Sequence, residues 1–147
     1  MVTSIYAIQL ETTKAPEFID ITDEVESFVR DAAIENGCAI VYSRHTTAAI
    51  KINENEPLLI RDMECFLERI APRDDHYRHN DFSIRTINMT DEECPNGHAH
   101  CQRLLLNTSE TIPIIDGRLQ FGEWQRVFLI ELDRPRPREV IVQIIGT

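Results

Sequence analysis

Lysine is almost missing from this chain. Lys14 and Lys51 are its only lysines among 15 basic residues, against 25 aspartates and glutamates, for a formal net charge of -10. A strongly negative surface repels phosphate backbones, which argues against DNA or RNA as a partner. Acid-rich, lysine-poor chains suit a high-salt interior, where screening relieves self-repulsion. A GC-rich genome also favours arginine, and the two origins stay open. Long apolar runs are missing too. No stretch approaches the roughly 20 residues that a membrane-crossing helix needs. Met1-Val2-Thr3-Ser4 shows no basic region leading into an apolar one. Neither a membrane span nor a signal peptide is expected, and a cytoplasmic location follows by default. The four cysteines, Cys38, Cys65, Cys94 and Cys101, show no C-x-x-C spacing. That argues for free thiols over a disulfide framework.

What is present describes one domain over residues 1–147. A hydrophobic share of 42% and a charged share of 27% are ordinary for a globular protein of this length with a real core. Ser4 to Leu10 alternates as a half-buried strand, and Glu17 to Ile21 reads as a second, giving an opening hairpin. Thr22 is placed as an N-cap before a helix over 23–36, with Gly37 as its left-handed terminator. Strands follow over 38–43 and 48–53, with Arg44 to Thr47 at the junction. Pro57 opens a second helix that ends at Ala71-Pro72. Residues 71–97 form a long irregular stretch, the kind that more often carries function than decoration. A short helix is expected over 99–106. Strands follow over 112–115, 118–121, 125–132 and 140–145, with a turn at Asp116-Gly117 and a loop over 133–138. There are no internal repeats and no linker. The class is α+β: a single β-rich domain of mostly antiparallel sheets with two to three helices.

Histidine carries the chemistry. His98 and His100 stand one residue apart after Asn96-Gly97; His79 precedes them across a polar loop, and His45 lies far upstream. Catalytic zinc commonly takes three protein ligands and keeps one position open. His45, His79 and His100 are the candidate trio, with His98 a fourth. An extended segment would let His98 and His100 share a face, whereas a helix would leave only one of them available. Cys94 and Cys101 flank the cluster and admit a thiolate ligand. Thr46 and Thr47 could bind phosphate or orient the imidazole, or simply reflect strand propensity. Glu54 is a candidate general base, or a charge placed at a helix start. Trp124 could stack a flat ligand while Gln125 bonds its edge, or it could belong to the core or a subunit contact. Arg134, Arg136 and Arg138 could grip a phosphate or carboxylate, or pair with the abundant acids in a solvated loop.

Taken in order, these pieces resemble a known family. They are His45-Thr46-Thr47-Ala48, Ile50, Ile52-Asn53-Glu54, His79-Asn80, Asn96-Gly97-His98-Ala99-His100, Ile112-Pro113-Ile114, Gly117-Arg118-Leu119, Gly122-x-Trp124-Gln125, Glu131-Leu132-Asp133 and Arg138. The set looks like the YjbQ family (UPF0047), also called the secondary thiamine-phosphate synthase family. The resemblance runs from about Ser4 to the C-terminus. It implies a homotrimer with a pocket near a subunit boundary, where His45, His79 and His100, with His98 less secure, hold zinc or another divalent cation. It implies a metal-dependent enzyme with weak thiamine phosphate synthase activity, in which a thiazole phosphate nitrogen attacks a pyrimidine diphosphate and pyrophosphate leaves. A zinc-dependent hydrolase or lyase, or a non-enzymatic trimer binding metal or a small ligand, fits the same residues. Two departures stand out. Glu123 replaces the family's usual threonine and would disfavour an anion if it points inward. Asn107 replaces a glycine in a turn where the left-handed conformation is open to asparagine. The loop from Phe82 to Pro95 also looks longer than in most relatives.

Overall fold

Two antiparallel sheets organise the chain in the computed structural model, which describes residues 1–147. The strands are β1 (Val2–Glu11), β2 (Glu17–Asp20), β3 (Gly37–Ser43), β4 (Ala48–Glu54), β5 (Ser109–Ile115), β6 (Arg118–Leu119), β7 (Gln125–Glu131) and β8 (Pro137–Gly146). The helices are α1 (Thr22–Ala32), α2 (Pro57–Ile70) and α3 (Gly97–Arg103), with a 3-10 turn at Arg78–Asn80. The larger sheet runs β1-β8-β3-β5-β6, and the smaller runs β2-β7-β4. No helix is long and apolar enough to cross a membrane.

The sheets share a core of 16 buried residues, to which α1 adds Val25 and Val29. Tyr6 of β1 stacks on Phe28 of α1 with ring centroids 4.5 Å apart. The smaller sheet is covered on both faces. Val127 and Leu129 enter the main core, while Phe128 and Ile130 turn the other way and pack with Leu67 of α2 and Ala99 of α3. Side chains on a strand alternate between faces, so the middle of β7, Val127 to Ile130, is an unbroken apolar run because both of its faces are dry there. Each such side chain contributes about 1.5–3 kcal/mol by burial.

Several expectations are corrected. β1 and β2 form no hairpin: β1 pairs with β8, and β2 crosses to the other sheet to pair with β7. Alternation sets which face of a strand is buried, not which strand lies beside it. Helix α1 ends at Ala32, with Ala33 taking the left-handed position at φ 50. Gly37 instead opens β3, where a Cβ would sit 2.0 Å from the Ile145 carbonyl oxygen, so it is needed for space. Thr22 is not the N-cap but the first helical residue; its hydroxyl donates to Asp20 Oδ1 and accepts from the Val127 amide. Glu56 caps α2, accepting from the Leu58 and Leu59 amides behind Pro57. Helix α3 starts at Gly97 and ends at Arg103, and the strand expected over 118–121 spans only Arg118–Leu119. Asn107 takes no left-handed turn; its carbonyl accepts from the Ile50 amide at 3.0 Å.

Candidate functional site

His79 and His100 are brought together by a docked turn. Asn80 Oδ1 accepts from the amides of Asn96 and Gly97 at 3.0 and 2.9 Å, tying the 3-10 turn to the start of α3. A Cβ on Gly97 would stand 2.5 Å from Tyr77 Cβ, so only glycine lets the two segments approach this closely. His79 on the turn then faces His100 on the helix, with ring centroids 4.7 Å apart in an edge-on arrangement. Two residues along a helix lie about 200° apart, which sends His98 elsewhere. Its ring is buried, and Nε2–H donates to the Leu132 carbonyl at 3.1 Å. His98 therefore does not join His100 at the same site.

His45 sits in the junction after β3, which β8 clamps. The Glu139 amide donates to His45 Nε2 at 3.0 Å, and Arg44 pairs with the Glu139 carboxylate at 3.2 Å. Arg138 Nη2 donates to Thr47 Oγ1 at 2.9 Å, and the Leu132 amide donates to the Thr47 carbonyl. Beneath them Arg138 holds Glu131 at 2.6 Å, both side chains buried. Thr12 and the amides of Leu132 and Asp133 also donate to that carboxylate. A buried charge pair persists when its remaining lone pairs are satisfied, and here they are. Thr47 is thus a buried structural contact, while Thr46 is exposed.

Above this floor lies a cavity of about 510 Å³ with no apolar lining residue. His45, His79 and His100 all line it, as do Thr46 and Thr47. So do Arg44, Arg85, Arg136 and Arg138, with Glu93 the one carboxylate. Arg85 is consumed by structure: it pairs with Glu93 and donates to the carbonyls of His79, Ile87 and Asn88. The loop over 82–95 therefore forms part of the cavity wall. Arg44 and Arg136 each spend one nitrogen on a carboxylate and remain substantially exposed. The Arg138 side chain is 2% exposed and lines the cavity, and its Nη1 has no protein partner. Of the three loop arginines expected to grip an anion, Arg134 is turned aside toward Asp133 and Cys94.

The His45, His98 and His100 rings favour the neutral form. Burial, then the Arg138 and Arg136 charges, lower the His45 pKa below its ordinary 6.5. Burial, then His79, lowers that of His100; burial, then Arg73, lowers that of His98. Imidazoles can ligate a cation, but His45, His79 and His100 do not fit around one as arranged. His45 Nε2 already accepts a peptide N–H, and no group of three or more His, Cys, Asp or Glu side chains is placed to hold a metal. His79 and His100 are the pair that could share one. Neither Cys94 nor Cys101 lines this cavity.

Glu54, Trp124 and Gln125 are not brought to it. Glu54 and Trp124 line a separate hollow with Asp20, Glu56, Glu123 and Arg126, and Gln125 Oε1 accepts from the Gly122 amide. The register explains the separation: Ala48 pairs with Glu131 at one end of β4 and β7, and Glu54 pairs with Gln125 at the other. Six residue steps along a strand span about 20 Å. Glu123 accordingly points its charge at the far hollow, not at the arginines. Sequence reasoning missed Asn80 as the α3 tether and Arg85 as the loop's staple. Asn80 stood next to a candidate histidine; Arg85 carried no local signal.

The family model described as UPF0047 protein YjbQ-like matches residues 6–147. A UPF0047 protein of Methanothermobacter thermautotrophicus is 39% identical over 139 residues, covering 95% of this chain and 90% of the relative. The UPF0047 protein YugU of Bacillus subtilis is 34% identical, with 95% of this chain and 97% of the relative covered. Among solved structures, a YbjQ-like protein of unknown function from Sulfolobus solfataricus superposes with a TM-score of 0.83 at 32% identity, covering 99% of this chain and 100% of that one. A yjbq/upf0047 family protein from Clostridium acetobutylicum gives a TM-score of 0.83 at 35% identity, over 95% of this chain and 99% of that one.

Proposed function

The chain belongs to the YjbQ-like UPF0047 family, and we propose that its arginine-ringed cavity binds a small phosphorylated molecule and acts on it as an enzyme. One observation carries this reading. Unsatisfied guanidinium nitrogens of Arg44, Arg136 and Arg138 gather at a cavity without apolar lining, in a chain of net charge -10. Cationic donors collected against the overall charge suit an anion with several acceptor oxygens.

The reaction we assign is the weak thiamine phosphate synthase step, with pyrophosphate as the leaving group. The arginines stabilise charge that grows on the departing oxygens, and an exposed Thr46 hydroxyl helps orient the phosphate. The His100 ring, held toward its neutral form beside His79, can accept a proton from water, which favours a phosphoester hydrolase as the second reading. Zinc or another divalent cation would be held by His79 and His100. A trimer that only binds its ligand is the non-catalytic outcome of the same test.

Assembly belongs to the proposal as well. Leu104 and Leu105 after α3 are 84% and 63% exposed, and Leu58 and Phe66 of α2 are bare too. We assign these exposed apolar side chains to contacts within a homotrimer. Glu54, Trp124 and Gln125 take part in the reaction only if a neighbouring copy supplies them, because their own chain holds them at the far end of β4 and β7. The test is titration calorimetry with inorganic phosphate and pyrophosphate, beside a pyrophosphate-release assay with pyrimidine diphosphate and thiazole phosphate. Arg136→Gln is expected to weaken phosphate binding about tenfold. Equal affinity in wild type and variant sinks the assignment.

A further inference from the structure

We infer that His45 is a fixed hydrogen-bond donor to the anion in the arginine cavity, through a protonated Nδ1, and is not a metal ligand. The inference rests on the cavity being an anion site. A neutral imidazole has one N–H and one lone pair, and whichever nitrogen accepts a bond leaves its proton on the other. The partner of Nε2 here is the Glu139 peptide N–H, at 3.0 Å. A peptide N–H can only donate, so Nε2 carries the lone pair and Nδ1 carries the proton.

The sheet enforces this choice. β3 stops at Ser43, opposite Val140, while β8 begins at Pro137. The His45 ring takes the place of the missing strand beside Glu139. Turning the ring over would aim a C–H at the Glu139 amide and strand a peptide donor. The backbone that carries the ring is held as well, by the His45 amide to Ser43 Oγ and by Arg138 to the Thr47 hydroxyl. To bind a cation through Nδ1 the ring would have to shed its only proton; to bind through Nε2 it would have to abandon Glu139.

Nδ1 itself has no acceptor in the protein and is not among the buried unpartnered atoms. It is an open donor on a ring that lines the arginine cavity. Arg138 and Arg136 are the charged groups that act on this ring most strongly. A phosphate oxygen held by those guanidinium groups supplies the acceptor that Nδ1–H lacks.

The test uses protein labelled with 15N-histidine. Long-range 1H–15N spectra should show His45 as the Nδ1–H tautomer in the free protein. That signature should persist in saturating zinc and shift when inorganic phosphate is added. His45→Gln keeps an acceptor for the Glu139 amide but has no donor at the Nδ1 position. It should bind zinc at the wild-type stoichiometry and phosphate about tenfold more weakly. His45→Asn places an amide donor near Nδ1, loses the Glu139 contact, and should hold phosphate better than His45→Gln despite a lower Tm. An unprotonated Nδ1, its loss of the proton in zinc, or wild-type phosphate affinity in His45→Gln overturns the inference. Wild-type protein that takes up no phosphate overturns the anion-site reading and the acceptor named here, while the tautomer still decides whether His45 can be a ligand.

Discussion

The two hollows at opposite ends of β4 and β7 are mirror images in charge. One is lined by four arginines and a single carboxylate, Glu93; the other by four carboxylates, Asp20, Glu54, Glu56 and Glu123, and a single arginine, Arg126. They differ more in what stands behind the charges. The arginine cavity rests on Glu131 and Arg138, both withdrawn from water, with the Glu131 carboxylate fully bonded and Arg138 held through Nε and Nη2. The acidic hollow is held by pairs that water reaches, Arg126 with Asp20 and Asp23. Buried pairing fixes geometry; exposed pairing tolerates motion. A donor set that must meet a ligand in one arrangement belongs on the first kind of support.

The largest expected effect breaks that contrast directly. Glu131→Gln leaves Arg138 buried without its charge partner and should cost about 3–5 kcal/mol. Asp20→Asn at the other end removes a solvated pair and should cost about 0.2–1 kcal/mol. Urea unfolding of both variants measures the ratio. Similar losses would mean that the cavity floor is not the rigid element.

Gly97→Ala comes next. The added Cβ meets Tyr77 and must push the 78–80 turn away from α3, at about 1–3 kcal/mol by overpacking. Phosphate binding should weaken as well, since His79 and His100 separate. Asn80→Ala frees the same two amides without crowding and should cost about 0.5–2 kcal/mol, as other lost caps do. A stability loss with unchanged phosphate affinity would remove the histidine pair from the binding surface.

How these pieces were legible in the sequence follows from their range. Most period-two strands and the α2 entry at Pro57 are local, and they read correctly; the spacing of His98 and His100 left both an extended and a helical reading open. The convergence of His45, His79 and His100 on one cavity was visible through resemblance and polar clustering. Choosing between His98 and His100 needed the start of α3, because one helical turn decides which ring is buried. Arg136 and Arg138 could be suspected as phosphate grips, but Arg134 looked equivalent and is turned to Asp133 and Cys94. The failure at Glu54 and Trp124 is of another kind. Both sit in motifs of the same family pattern as His45, and a motif list carries no distance; only the β4–β7 register separates them. Partner choice between strands was unreadable for the same reason, since β1 and β2 are neighbours in sequence and lie in different sheets.

Acid titration should split the two ends. His45, His98 and His100 have folded pKa values below the ordinary 6.5, so the unfolded chain takes up protons first as the pH falls. Stability is therefore complete above about pH 7 and drops as the pH passes below 6.5, until the folded rings protonate too. At the acidic hollow, burial alone would raise the Asp20 pKa, but bonds from Arg126, Thr22 and Asn55 hold it below 3.8. The Leu58 and Leu59 amides hold Glu56 low in the same way. Those contributions are intact above the ordinary carboxylate range and fade only as the pH falls through the lowered values. Urea midpoints between pH 7.5 and 5.5 should fall in wild type and fall less in His98→Gln. A flat wild-type profile over that window would mean the rings are not held neutral.

The smallest expected effect asks whether the two ends ever meet. Trp124 is 65% exposed and outside both buried clusters, so Trp124→Ala should change stability by no more than about 0.5 kcal/mol. Within one chain about 20 Å of strand separates it from the arginines, and phosphate affinity should stay within about twofold of wild type. Should Trp124→Ala weaken phosphate binding in the assembled protein but not in a Leu104→Asp, Leu105→Asp variant that sediments as a monomer, the acidic hollow of one copy would be facing the arginine cavity of the next. The charge mirror would then be complementarity across a subunit boundary, with four carboxylates set against four guanidinium groups.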